Sequence, residues 1–151
     1  LDAATTLRLA NDFPGKIIGV KEASGRMGQI REILEKMPDG FSVFSGDDAL
    51  TLPLMAMGAC GVISVIGNAL PREFGQLVHL CSQNRYDEAA ACDRLIYPFY
   101  RALFADGNPS GIKALLALMN KAQDVVRLPL TPVTQPTRDT LAAALAAISR
   151  G

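Results

Sequence analysis

The sequence has no tryptophan, only one histidine and only three cysteines among its 151 residues. His79 stands apart from Cys60, Cys81 and Cys92, and the cysteines form no CxxC pair, so the ligand spacing of a zinc site is missing. An odd set of scattered cysteines favours reduced, mostly buried thiols, as expected of a cytoplasmic protein. The sequence therefore predicts no metal centre.

An excess of either charge is also absent, since 15 Lys and Arg residues balance 15 Asp and Glu residues. A neutral chain gives no electrostatic reason to expect binding to nucleic acid or to an anionic membrane. No apolar run approaches the roughly 20 residues of a spanning helix, and Asp2, Arg8 and Asp12 interrupt any signal-peptide pattern. With 49% hydrophobic residues, the sequence predicts a soluble globular unit with neither nucleic-acid nor membrane partners.

Apolar runs typical of short buried strands occur three times, at 17–21, 41–45 and 61–65. Each run is followed by apolar residues spaced three or four apart, as in a helix: Met27, Ile30, Leu34 and Met37; Leu50, Leu54 and Met57; Phe74, Leu77, Val78 and Cys81. Pro71 suits the first turn of the third helix. Strand–helix units repeating every 20 to 24 residues predict a parallel sheet with right-handed crossovers.

Helical patterns alone follow residue 84. They predict a helix over 86–104 with a kink at Pro98, a helix that starts with Asn108 as N-cap and Pro109 in its first turn, and a helix over 137–149. Two prolines within 127–132 predict an extended linker. We therefore divide the chain into a β/α region, residues 1–84, and a helical domain, residues 85–151.

Lys21 is the leading candidate for chemistry, because it stands where the first predicted strand ends. In α/β folds, ligands bind at the carboxyl ends of the strands. If the apolar residues of 17–20 and 62–63 enclose this lysine, its amine loses its charge more easily and can form a Schiff base with a ketone. The alternative is a structural lysine that extends its amine into solvent at a strand end.

The architecture itself suggests an incomplete unit. Three parallel strands cannot close a (β/α)₈ barrel, which needs eight and typically about 250 residues, and an open sheet leaves its edges unpaired. The chain also begins at Leu1 with a helical pattern and no strand before it. We expect the sequence to be part of a larger protein.

Four segments carry a resemblance to a known family: 19–25 (GVKEASG), 45–48 (SGDD), 61–65 (GVISV) and 127–132 (RLPLTP). In this order and spacing they resemble the dihydrodipicolinate synthase family of the N-acetylneuraminate lyase superfamily. The resemblance covers nearly the whole chain. It implies an α/β fold made of the last three β/α units of a (β/α)₈ TIM barrel followed by a C-terminal helical domain.

The resemblance also implies a function, that of a Schiff-base lyase that condenses pyruvate with aspartate-4-semialdehyde in lysine and diaminopimelate biosynthesis. It implies that Lys21 forms the imine with pyruvate, that the Ile63 backbone lies beside the bound pyruvate, and that Gly46 lies at the pocket mouth near the second substrate. No metal or organic cofactor is implied, because the lysine supplies the electron sink. Complete members are implied to be cytoplasmic homo-oligomers, with tetramers as the usual form.

The family's acid/base tyrosine, paired threonines and carboxylate-binding arginine belong to strands that precede the matched segments. Tyr86, Tyr97 and Tyr100 lie in the helical region and do not correspond to that tyrosine, while 108–109 and Lys113 match the helical domain rather than the chemistry. We therefore expect the isolated chain to be weakly active or inactive. Two alternatives stay open: another pyruvate-dependent class I aldolase, such as an N-acetylneuraminate lyase or a keto-deoxy-sugar-acid aldolase, and a non-catalytic association module.

The remaining polar residues have structural interpretations. Glu22 is expected to point away from Lys21 and to support the start of the next helix. Asp47 and Asp48 are expected to cap a helix rather than to bind a metal or act as an acid/base pair. His79 is expected on a helix surface and Cys60 as a small buried hydrophobic residue.

Overall fold

The computed structural model describes residues 1–148, so Ser149 of the predicted last helix lies outside the described residues. Within them, a three-stranded sheet is combined with seven α-helices. In chain order the elements are α1 Ala3–Asp12, β1 Gly19–Glu22, α2 Met27–Lys36, β2 Ser42–Ser45, α3 Thr51–Ala56, β3 Gly61–Val62, α4 Pro71–Ser82, α5 Tyr86–Ala102, α6 Ser110–Leu118 and α7 Gln135–Ile148.

The three strands form a parallel sheet in the order β1-β2-β3, which confirms the predicted β/α units. All three strands are shorter than predicted. The third ends at Val62, whose partner is Ser45, the last residue of β2. Beyond that point β2 offers no further strand residue to pair with, and the chain continues into a 3₁₀ helix at Ile66–Asn68.

The first compact unit comprises residues 1–64 and 78–89. Its core is formed on one face of the sheet, where Val20 of β1 and Val43 of β2 pack with helix residues. The fully buried members of this core are Ile30, Ile33, Val43 and Leu54. Burial of these apolar side chains, about 1.5–3 kcal/mol each, holds α2 and α3 against the sheet.

The prediction that the first strand is buried on both faces is wrong. Ile18 is 66% exposed, and Val20 is only partly buried. The physical reason is that Ile18 precedes β1 and that the core of this unit packs on the sheet face that carries Val20 and Val43. A continuous apolar run is typical of a central parallel strand, but the run alone does not specify how many faces are covered.

Helix starts in this unit follow their capping residues. Asp2 accepts a 2.7 Å hydrogen bond from the Thr5 N–H and so begins α1. Asp47 accepts a 3.0 Å hydrogen bond from the Ala49 N–H and begins the 3₁₀ helix Asp48–Leu50 that leads into α3. The capping role predicted for Asp47 is therefore confirmed.

Among the described residues, the second compact unit comprises residues 65–77 and 90–148. Pro71 is the first residue of α4 and Pro98 lies inside α5, as predicted. The prediction for α6 is wrong by one position: its N-cap is Pro109, not Asn108, and Pro109 makes no side-chain capping bond. The segment 127–132 is neither helix nor strand, in agreement with the predicted linker.

The two units are divided at 64/65, 77/78 and 89/90. The boundary between residues 84 and 85, drawn from the sequence, stays a prediction. No helix within residues 1–148 has both the length and the apolar character that crossing a bilayer requires.

Candidate active site

Lys21 is the third of the four residues of β1, near its carboxyl end, and its side chain is exposed. It pairs in register with Phe44 of β2. Because side chains alternate along a strand, Lys21 and Phe44 lie on the face opposite to Val20 and Val43. The lysine therefore faces away from the helix-covered core of its unit.

The structure brings Gly46 directly against Lys21. Gly46 follows β2, and its N–H donates a 2.7 Å hydrogen bond to the Glu22 carbonyl at the end of β1. A Cβ atom added at Gly46 would lie 3.0 Å from Lys21 Cε and 3.1 Å from Lys21 Cγ. The lysine side chain thus passes over Gly46, and only a residue without a side chain leaves it this path.

Ile63 lies one residue beyond β3, and its N–H donates a 2.8 Å hydrogen bond to the Ser45 carbonyl. It is two residues after Gly61, the register partner of Phe44, so alternation puts it on the Lys21 face of the sheet. Its side chain is 50% exposed. All three predicted site residues therefore lie at the carboxyl ends of neighbouring parallel strands.

The predicted apolar enclosure of Lys21 is not formed by residues 1–148. Val20 lies on the opposite face, and Ile63 is itself half exposed. Successive side chains of a strand point to opposite faces of the sheet, so the apolar residues next to a lysine in sequence do not surround its amine.

Glu22 lies next to Lys21, and its burial was not predicted from the sequence. Its side chain is buried, with 5% exposure, while Lys21 beside it is exposed. Its Oε1 accepts a 2.8 Å hydrogen bond from the Ser24 N–H, and its Oε2 accepts a 3.2 Å hydrogen bond from Gln29 Nε2. Burial acts to raise the pKa of Glu22, but the hydrogen bonds from Ser24 and Gln29 outweigh it and hold the pKa below its ordinary value.

The other polar candidates are engaged elsewhere. His79 is exposed on α4 beside Gln83, as predicted, with 3.0 Å between the His79 Nε2 and Gln83 Nε2 atoms. Tyr100 Oη donates a 2.8 Å hydrogen bond to Asp93 Oδ1. The prediction for Cys60 is wrong, because this cysteine is exposed; it precedes β3, where the chain turns out of α3 into the edge of the sheet.

In the part of the chain that the structure describes, no three His, Cys, Asp or Glu side chains converge as metal ligands would. The predicted site therefore consists of a primary amine, a gap left by a glycine and an apolar side chain. Such a set offers a nucleophile that can form a Schiff base with a carbonyl compound. With Lys21 engaged as the nucleophile, neither Gly46 nor Ile63 has a side chain that can transfer the protons that a condensation requires.

Comparison with known proteins gives a consistent result. The profile of the dihydrodipicolinate synthetase family matches residues 1–148. A 4-hydroxy-tetrahydrodipicolinate synthase from Phocaeicola vulgatus is 45% identical over 145 residues, which make up 96% of this chain and 48% of that protein. The chain spans about half the length of the curated relatives it matches.

Solved structures agree with the sequence matches. Dihydrodipicolinate synthase from Aquifex aeolicus has a TM-score of 0.93 at 32% identity, covering 98% of this chain and 50% of that one. The chloride-inhibited enzyme from Acinetobacter baumannii, complexed with pyruvate, has a TM-score of 0.92 at 30% identity, covering 99% and 50%. These likenesses confirm the predicted fold class, in which the three β/α units form part of a (β/α)₈ barrel.

Proposed function

The chain belongs to the dihydrodipicolinate synthetase family, and on that premise we propose that Lys21 is the imine-forming nucleophile of an enzyme that condenses pyruvate with aspartate-4-semialdehyde. The observation that carries the proposal is the path of the Lys21 side chain over Gly46 at the carboxyl ends of two adjacent strands. In barrel enzymes the chemistry takes place at this edge.

The reaction begins with the neutral Lys21 amine. Its Nζ forms a bond to the pyruvate carbonyl carbon, and the carbonyl oxygen leaves as water with both amine hydrogens. The imine nitrogen takes up a proton, and loss of a proton from the pyruvate methyl group then gives a neutral enamine. The enamine carbon attacks the aldehyde carbon, which restores the protonated imine, and the aldehyde oxygen takes up a proton to become a hydroxyl group. The amino group of the condensed product then displaces Nζ from the imine carbon, which closes a ring and returns the free lysine.

Each of the other two site residues has a separate role in this proposal. Gly46 leaves room for the lysine side chain and lies at the mouth of the pocket near the second substrate. Ile63, on the same sheet face, presents its backbone to pyruvate and an apolar wall to the methyl group. No metal or organic cofactor enters, because the protonated imine nitrogen accepts the electron pair that is released when the methyl C–H bond breaks.

Pyruvate is proposed from a relative, and aspartate-4-semialdehyde is proposed from the family resemblance. The Acinetobacter baumannii structure contains pyruvate, and the Phocaeicola vulgatus relative is named for the product 4-hydroxy-tetrahydrodipicolinate. A different pyruvate-dependent aldolase would share Lys21 but take a sugar-acid aldehyde. The segment after Lys21, Glu-Ala-Ser-Gly at 22–25, and the motif at 45–48 favour the synthase.

Proton transfer must come from groups outside the three site residues. We therefore propose that the chain alone is weakly active or inactive and gains activity when the remaining part of a synthase barrel is present. The biosynthetic role would place the complete protein in the cytoplasm, and self-association into a homo-oligomer remains part of the proposal.

The test is reductive trapping of the imine. The chain is incubated with pyruvate and borohydride, both alone and co-expressed with the part of the Phocaeicola vulgatus relative that the match does not cover. We expect the co-expressed sample to gain the mass of one pyruvate less one water plus two hydrogens, and peptide mapping to place this gain on Lys21.

Lys21→Arg removes the nucleophile while keeping the positive charge, and Lys16→Arg in the turn after α1 is the matched control. Trapping should vanish in the first variant and persist in the second. An adduct on another lysine, or no adduct in a folded co-expressed sample, would refute the proposal.

A further inference from the structure

Glu22 is a carboxylate buried at the point where the exposed reactive lysine meets the following turn. Its 5% exposure contrasts with the exposed side chain of Lys21. A buried carboxylate is costly unless hydrogen bonds satisfy it. Here the donors are the Ser24 N–H, 2.8 Å from Oε1, and Gln29 Nε2, 3.2 Å from Oε2.

These bonds tie the end of β1 to two neighbouring parts of the first unit. The Ser24 bond fixes the turn that follows Lys21, and the Gln29 bond connects that turn to the first turn of α2. The main-chain carbonyl of Glu22 also accepts the 2.7 Å hydrogen bond from Gly46. One residue therefore holds the strand end by its backbone on the β2 side and by its side chain on the α2 side.

Gln29 is oriented for this task by further bonds. Its Oε1 accepts from the Arg26 guanidinium, while its Nε2 also donates a 3.2 Å hydrogen bond to the Leu1 carbonyl. The amide therefore presents its NH₂ group to Glu22, and rotating it to present oxygen instead would break both of the other bonds. The polarity of the contact is fixed: carboxylate on β1, amide donor on α2.

We propose that Glu22 and Gln29 act as a positioning pair that sets where the Lys21 amine stands, a role that rests on the proposed imine chemistry. Lys21 and Glu22 share one peptide unit, so any rotation of the strand end moves the lysine. Because Nζ lies ~6 Å from its Cα, a rotation of ~10° displaces it by ~1 Å. Misplacement of that size lowers the rate of a positioned reaction by ~100-fold.

The pair can be tested by exchanging its polarity. Glu22→Gln leaves one acceptor oxygen for two donors, so either the Ser24 bond or the Gln29 bond is lost. Gln29→Glu puts two carboxylates together. The double variant restores a donor facing an acceptor, keeps an acceptor for Ser24 and keeps an acceptor for Arg26. Leu1 loses its donor in the double variant, but its exposed position lets water replace it.

The experiment measures the rate of borohydride trapping with pyruvate in the co-expressed protein as the pyruvate concentration is varied. We expect each single variant to lower the maximum trapping rate by about 10- to 100-fold, with the half-saturating pyruvate concentration changed by less than about threefold. The double variant should recover to within about fivefold of the unmodified protein. Glu35→Gln changes an exposed carboxylate on α2, the helix that carries Gln29. It is the matched control and should leave the trapping rate unchanged.

A second readout does not depend on pyruvate. The rate at which a small acylating reagent modifies Lys21, measured by peptide mass against pH, should change in the single variants and return in the double variant. Lys36, exposed at the end of α2, serves as the internal reference. Gln29→Ala is a milder variant for use if a single variant fails to fold. It removes the donor to Glu22 without placing like groups together, and it should reproduce the change in acylation rate to a smaller extent.

The outcomes separate the two proposals. If the unmodified protein forms no pyruvate adduct but the acylation pattern follows the exchange, the imine chemistry fails and the positioning pair stands. Trapping and acylation at unmodified rates in the folded single variants would overturn the positioning pair. Loss without recovery in a folded double variant would overturn it as well.

Discussion

Gly46→Ala adds one methyl group at the point where the Lys21 side chain crosses the end of β2. The added Cβ would lie 2.5 Å from Ala23 Cβ, 3.0 Å from Lys21 Cε and 3.1 Å from Lys21 Cγ. Non-bonded carbon atoms pack at ~3.5–4.0 Å. Something at this strand end must therefore move, and the three distances identify the candidates.

The two neighbours respond differently. Ala23 Cβ is fixed to the backbone of the turn after β1, so relieving its contact requires a shift of the chain of about 1 Å, with an overpacking cost of about 1–3 kcal/mol. The Lys21 side chain is flexible and relieves its contacts by rotating away. Rotation costs little energy but displaces Nζ, and a displacement of ~1 Å lowers the rate of a positioned reaction by ~100-fold.

A double variant separates these effects. Gly46→Ala with Ala23→Gly removes the contact with the turn but keeps the crowding of Lys21. We expect urea unfolding to show a loss of about 1–3 kcal/mol in the single variant and recovery of most of it in the double variant. Borohydride trapping with pyruvate in the co-expressed protein should fall by about 10- to 100-fold in both.

Gly28→Ala is the matched control, because Gly28 lies on α2 with open space where its Cβ would stand. It should leave trapping unchanged and raise stability by up to about 1 kcal/mol. Trapping at the unmodified rate in a folded Gly46→Ala variant would refute the reasoning, because the Lys21 side chain would then not depend on the gap over Gly46.

Two further predictions concern the second unit. Gly111→Ala should destabilise it by about 3 kcal/mol or more in urea unfolding. A Cβ atom there would lie 2.0 Å from the Leu103 carbonyl oxygen, and a backbone atom cannot move aside as a side chain can. A variant with the same urea midpoint as the unmodified chain would contradict this prediction. The Asp106 carboxylate accepts bonds of 2.7 and 2.9 Å from the Thr134 N–H and hydroxyl. The Thr134 N–H bond is the main reason that the Asp106 pKa lies below its ordinary 3.8. Its stabilisation is therefore present above that pH and lost as the pH falls through the lowered pKa. Thermal melts between about pH 2 and 6 should show a smaller acid loss for Asp106→Asn than for the unmodified chain, with Asp39→Asn in an exposed turn as control, and identical acid losses would contradict the assignment.

Local patterns predicted the elements of this chain well. Continuous apolar runs, each followed by apolar residues spaced three or four apart, identified the β/α units. Pro71 opened α4 as expected, and Asp47 capped the 3₁₀ helix that it precedes. These features succeed because they depend on residues within one or two turns of each other. The family resemblance then assigned a role to Lys21.

The errors have a common cause. Ile18 and Cys60 were expected to be buried, yet both are exposed, because a residue's own type does not say what lies beside it. Asn108 was expected to cap α6, but the helix starts one residue later. The residue at which a helix starts depends on how the preceding turn packs as well as on the residues of the helix.

The sequence by itself determined that Lys21 stands near the end of a parallel strand followed by a helix, because apolar periodicity and turn residues are local properties. Only the tertiary structure decided that Gly46 makes room for the lysine and that Glu22 is buried against Gln29. Gly46 is distant in sequence from Lys21, and the two are brought together by the register of β1 against β2. Glu22 meets Gln29 only when α2 packs onto the sheet. Both contacts follow from how whole elements pack together, which no local pattern specifies.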